Sequence, residues 1–181
     1  MPKVLIATDW LAACAGCHMS LLDLDERLVE LLYHVTITSC PVTDLKVPPE
    51  SGVTVGILTG AISNTHNVEV ARRMRSRCQF LVAVGDCATF GGIVAARNLV
   101  GTEAALQRAY LETESTVDGR IPDSPELGRL LPMVTGVSEV AAVDVFLPGC
   151  PPRPDDFHFV FSELLAGRVP VVLPQEHFRY D

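Results

Sequence analysis

The sequence predicts a three-layer α/β/α fold built on a mostly parallel sheet, and two observations carry that prediction. Short β-rich apolar runs alternate with segments of helical periodicity along the chain, with no internal repeat. That order calls for strands joined by crossover helices, which cover both faces of the sheet. The second observation is size. A chain of 181 residues with 48% hydrophobic and 20% charged side chains can bury one sizeable core and is too short for two comfortable ones. A single domain over residues 1–181 is expected.

The elements follow in order. Lys3–Thr8 reads as the first strand, and Ser20–Leu32 as an amphipathic helix with apolar residues at 21, 22, 24, 28, 29, 31 and 32 and Ser20 as its N-cap. Val35–Thr38 is a short second strand ending at Cys40-Pro41, and Asp44–Ser51, with Pro48-Pro49, is a loop. Val53–Leu58 is the third strand, closed by the turn Thr59-Gly60-Ala61. A helix from Asn64 to about Arg77 leads into the strand Phe80–Val84. Gly91-Gly92 opens a chain reversal before Ile93–Ala96, Glu103–Leu111 is helical, and 118–132 is a Pro- and Gly-punctuated loop. Val143–Leu147 is the last core strand. Pro154–Ala166 is the last helix, stopped by Gly167. Together these make a flavodoxin-like domain, in which ligands sit outside the carboxyl ends of the strands.

Composition narrows the function. A net charge of −8 argues against general nucleic-acid binding, and no apolar run approaches the roughly 20 residues of a membrane span. Met1-Pro-Lys runs straight into the first strand with no visible secretory or twin-arginine signal, so the cytoplasm is the expected location. The basic run Arg72–Arg77 reads as a helix C-terminus, where cations complement exposed carbonyls. The apolar composition and the scarcity of lysine beside arginine suit a buried partner interface.

Six cysteines without a leader read as metal-binding or buried thiols. Cys14 and Cys17, Cys87, and Cys150 each follow a predicted strand, so all four should gather at one sheet edge. Four thiolates from strand-end loops match the Cys₄ requirement of a [4Fe–4S] cluster. A structural zinc site, the nearest inorganic alternative, usually uses two close pairs, and this chain has one C-x₂-C. The neighbouring glycines at 16, 85, 91, 92 and 149 permit close backbone approach, and Pro148, Pro151 and Pro152 stiffen the last loop. Cys40 and Cys78 read as buried small hydrophobes. His18 reads either as a donor to a ligand sulfur or as a partly exposed residue at a helix start. Trp10 could shield the site, and Asp86 has no evident role. No phosphate loop, dinucleotide fingerprint or Ser/His/Asp signature is present.

Three segments carry a family resemblance. W-L-A-A-C-A-G-C-H-M-S at 10–20, V-G-D-C-A-T-F-G-G at 84–92 and V-D-V-F-L-P-G-C-P-P-R-P at 143–154 resemble the small subunit of [NiFe] hydrogenases, with T-G-A-I-S-N at 59–64 in support. The resemblance covers nearly the whole chain. It implies that Cys14, Cys17, Cys87 and Cys150 hold one proximal [4Fe–4S] cluster. It implies a large subunit carrying the Ni–Fe centre as partner, and no bond chemistry in this chain. The short, one-cluster form is similar to the cytoplasmic bidirectional, NAD-reducing type, whose iron–sulfur and flavin diaphorase subunits receive the electrons. Sulfhydrogenase and F420-type small subunits and a quinone-reductase subunit of the complex I kind are the alternatives. The complex I pattern departs in having two adjacent cysteines where Ala15-Gly16 separate this pair. A stand-alone FMN or metal-binding flavodoxin-like module is a reading of a different class, and FMN lacks a phosphate-binding loop here.

Overall fold

The computed structural model describes residues 3–170. Strand β1 (Val4–Trp10) leads through the first cysteine loop to α1 (Gly16–Leu22), α2 (Glu26–His34) and β2 (Val35–Ser39). Then come β3 (Val53–Thr59), β4 (Ile62–Asn64), α3 (Thr65–Arg77), β5 (Cys78–Val84) and α4 (Gly85–Phe90). A 3₁₀ turn at Gly92–Ala96 precedes α5 (Arg97–Val100), α6 (Thr102–Tyr110) and β6 (Leu130–Thr135). A second 3₁₀ turn, Val137–Glu139, leads to β7 (Val145–Leu147) and α7 (Pro154–Leu165).

The main sheet has the order β2-β1-β3-β5-β7, and every neighbouring pair is parallel. The chain leaves β1 towards one edge and returns to β3 on its other side, so the winding reverses between these two strands. A crevice opens at that reversal, at the carboxyl ends. The sheet is covered on both faces, as its period-2 side-chain alternation requires. From β5, Leu81 and Ala83 enter one core with Val70, Ala71 and Met74 of α3. Val82 and Val84 enter the other with Leu31 of α2 and Phe157, Val160 and Phe161 of α7.

Helix α3 shows how the sequence places its ends. Asn64 accepts from the Asn67 N–H at 2.8 Å, and the Asn67 side chain accepts in return from the N–H groups of Ser63 and Asn64. This reciprocal cap satisfies donors that the first turn leaves open. At the other end Arg75 donates to the carbonyls of Cys78 and Gln79 and pairs with Asp144. The basic run does lie at a helix C-terminus, and Arg75 ties that end to the start of β5.

Four local expectations are corrected. The predicted helix Ser20–Leu32 is two helices, because Asp25 takes a positive φ of 52° between them. Ser20 lies inside α1 and is not an N-cap. The segment 118–132 is not wholly loop: Leu130 begins β6, which pairs antiparallel with β4 to form a small second sheet. Finally, Gly85–Phe90 is a short helix directly after β5, so Cys87 sits on helical backbone.

Candidate metal centre

The four predicted cysteines do come together. Cys14 and Cys17 flank the start of α1, Cys87 is in α4, and Cys150 follows β7; all four line one cavity of about 130 Å³. The loop carrying Cys14 is laced to the end of β3 by backbone bonds from Leu11 N–H to Thr59 O at 2.8 Å, Ala12 N–H to Ala61 O at 3.1 Å and Ala61 N–H to Ala12 O at 2.9 Å. Cys14 and Cys150 are exposed, while Cys17 and Cys87 are half-buried.

The backbone around the sulfurs leaves no room for side chains. Gly85 has φ +86°, and a Cβ there would lie 2.4 Å from Cys17 Sγ. A Cβ on Gly92, at φ +49°, would lie 2.7 Å from Cys87 Sγ. Both positions combine a left-handed backbone with a close sulfur, and glycine meets both demands. The thiols also feel each other. Burial pushes the Cys17 thiol up to about 12, reinforced by the charges of Cys14, Cys87, Cys150 and Asp86. The Cys150 thiol is raised by burial and then by Cys87, Asp86 and Cys14. Thiols that hold their protons in this way must release them when a cationic guest binds.

The arrangement also bears on what kind of guest fits. A single zinc ion with Zn–S near 2.3 Å would draw four sulfurs to about 3.8 Å from one another. Among the described residues no three His, Cys, Asp or Glu side chains are grouped closely enough to hold one metal ion. Thiols spread around a cavity suit a cluster, in which each sulfur takes a different iron.

The other residues singled out by sequence divide differently. His18 is buried, at 9% exposure, and burial lowers its pKa. Its Nε2 lies 2.6 Å from Thr8 Oγ1 and its Nδ1 3.3 Å from Thr59 Oγ1. Both expectations for His18 are therefore corrected: its ring nitrogens tie α1 to the ends of β1 and β3 rather than facing a sulfur or solvent. Trp10 is 37% exposed and packs edge-on against the His18 ring. Cys40 and Cys78 are buried and do not line the cavity. Sequence reasoning missed two ties between cysteine-bearing segments. Ser20 Oγ donates to Pro152 O at 2.5 Å, linking α1 to the Cys150 loop. Asp86 and Gly149 bond each other twice, linking the Cys87 and Cys150 segments. The only sequence signal for either was a polar side chain close to a cysteine.

Residues 14–164, which include all four thiols, match the family model of the NADH ubiquinone oxidoreductase 20 kDa subunit. The chain is also 38% identical to the NAD-reducing hydrogenase HoxS subunit delta of Cupriavidus necator, over 99% of this chain and 86% of that one. The chain belongs to this family, among its hydrogenase small subunits. It is 37% identical to a subunit of the F420-non-reducing hydrogenase of Methanothermobacter marburgensis, an alignment spanning 91% of this chain but 54% of that relative's length. Among solved structures it superposes on a chain of an NAD⁺-reducing [NiFe]-hydrogenase in the H₂-reduced state with TM-score 0.93 and 40% identity, covering 99% of this chain and 100% of the other. The [NiFeSe] hydrogenase of Desulfovibrio vulgaris Hildenborough shares the fold at TM-score 0.61 and 17% identity. No helix among the described residues is long and apolar enough to cross a membrane.

Proposed function

We propose that this chain is the electron-relay subunit of a hydrogen:NAD oxidoreductase, with one [4Fe–4S] cluster held by Cys14, Cys17, Cys87 and Cys150. The observation that carries the proposal is the gathering of four thiols from three strand ends around one glycine-walled cavity. A cluster bound there supplies one-electron storage at low reorganisation cost, and its potential responds to charge, hydrogen bonding and exposure. The chain's own part is positional. Backbone bonds to the end of β3 fix the Cys14 loop, α4 presents Cys87, and the Ser20 tie holds the Cys150 loop against α1.

The same reading assigns the partners. A large subunit bearing the Ni–Fe centre supplies electrons from hydrogen, and iron–sulfur and flavin diaphorase subunits pass them to NAD. The similarity to NAD-reducing relatives over almost the full chain supports this assignment. A subunit feeding NAD reduction works where that pool is, in the cytoplasm. Phe90, Ile93 and Leu99, in the stretch of chain after Cys87, are exposed apolar side chains of the kind an interface core uses.

The test is reconstitution. Hydrogen-driven NAD reduction should need this chain, the large subunit and the diaphorase subunits together. Reduction of NAD by the other subunits without this chain would refute the relay role.

A further inference from the structure

We infer that Asp86 is a positioning residue of the thiol cavity that clamps two ligand-bearing segments together and, through its negative charge, holds down the reduction potential of the group bound there. The inference rests on the cluster reading given above. Asp86 immediately precedes Cys87, and Gly149 immediately precedes Cys150. The Asp86 N–H donates to Gly149 O at 2.9 Å, and the Gly149 N–H donates to Asp86 Oδ1 at 2.7 Å. One residue therefore grips both backbone polar groups of another. The pair spans α4 and the loop after β7, which 63 residues separate.

The grip matters because the Gly149 loop has little freedom of its own. Gly149 has φ +133°, and a Cβ there would come within 2.6 Å of the Pro152 backbone. The loop is folded back on itself, and Asp86 sets where that tight unit docks. Two contacts between the same two residues fix orientation as well as distance, which one bond cannot do. Site geometry must hold to within about 0.5 Å for ligands to engage together.

The charge is the second part. Asp86 lines the cavity with the four cysteines. An anionic neighbour disfavours adding an electron, and net charge is one of the determinants of an iron–sulfur potential. Asparagine at 86 keeps an acceptor for the Gly149 N–H and removes the charge. Alanine removes both. The two substitutions thus separate the two roles.

The experiment compares Asp86→Asn, Asp86→Ala and the native chain, each purified anaerobically as the complete hydrogenase complex. Reduced-cluster EPR is followed in a dithionite redox titration at about pH 8, and iron release to a chelator is timed. At a fixed solution potential near the native midpoint, Asp86→Asn should raise the ratio of reduced to oxidised cluster at least about threefold. Its iron release should match the native complex. Asp86→Ala should lose iron at least about threefold faster than Asp86→Asn, or fail to retain it while Asp86→Asn does. A native midpoint in Asp86→Asn overturns the charge role, and equal iron release by the two variants overturns the clamp. A native complex without iron in this chain would instead refute the cluster reading itself.

Discussion

Replacing Gly85 by alanine tests the cavity with a single methyl group. The structure places that methyl 2.4 Å from Cys17 Sγ, on a backbone with φ +86°. Non-bonded heavy atoms pack at about 3.5–4.0 Å, so the sulfur must retreat by roughly 1 Å or more. That exceeds the tolerance of about 0.5 Å for a working ligand site. The left-handed backbone adds about 1–2 kcal/mol of strain of its own. Gly52→Ala is the matched control, since Gly52 has φ +88° and nothing within 4 Å of its added Cβ. Gly52→Ala should therefore lower the apparent thermal midpoint by about 2–8 °C, given about 2–4 °C per kcal/mol for a chain of this size, and Gly85→Ala by at least as much. Their metal content should differ. This chain's share of the iron in the purified complex should fall by more than about half in Gly85→Ala and stay at the native level in Gly52→Ala, by the same tolerance argument. Native iron content and an unaltered EPR spectrum in Gly85→Ala would show that the sulfur at 17 is not confined as described.

Two further predictions use substitution. Serine at position 14, 17, 87 or 150 should damage or convert the cluster, because a harder oxygen ligand replaces a thiolate on one iron, whereas Cys40→Ser and Cys78→Ser should leave iron and sulfide intact; loss of the cluster in Cys40→Ser with retention in Cys14→Ser would overturn the ligand assignment. Asn64→Ala removes the N-cap of α3, where the Asn64 side chain accepts from the Asn67 N–H, and should cost about 1 kcal/mol, up to about 2, read as a lowered urea midpoint with iron content unchanged.

The parts of the fold that sequence made readable are those whose residues answer to local rules. Strands buried on both faces read as continuous apolar runs, which is why Val53–Leu58 and Phe80–Val84 stand out. Helix α3 carries its cap in sequence, and α7 has Pro154 at its start and Gly167 just beyond its end. What could not be read depends on distant partners. Strand β4 is three residues long, and β6 contains Pro132; they exist because they pair with each other across some 65 residues of chain. The break between α1 and α2 is hidden because apolar residues keep a helical spacing through Leu24, although Asp25 turns the backbone. The metal centre divides in the same way. The cysteines announce themselves by following strands. Ser20 meets Pro152 across 132 residues, and the Thr8, His18 and Thr59 contacts require β1 and β3 to be neighbours. No local pattern records such meetings.

The most direct test of the central claim is the iron and acid-labile sulfide content assigned to this chain in the anaerobically purified complex. Subtracting the content of the same complex lacking this chain isolates its share. About four irons and about four sulfides, with loss of that share in Cys87→Ser, are what a single [4Fe–4S] cluster held by the four thiols predicts. Zinc without labile sulfide, or an unchanged iron content when the chain is left out, would contradict it.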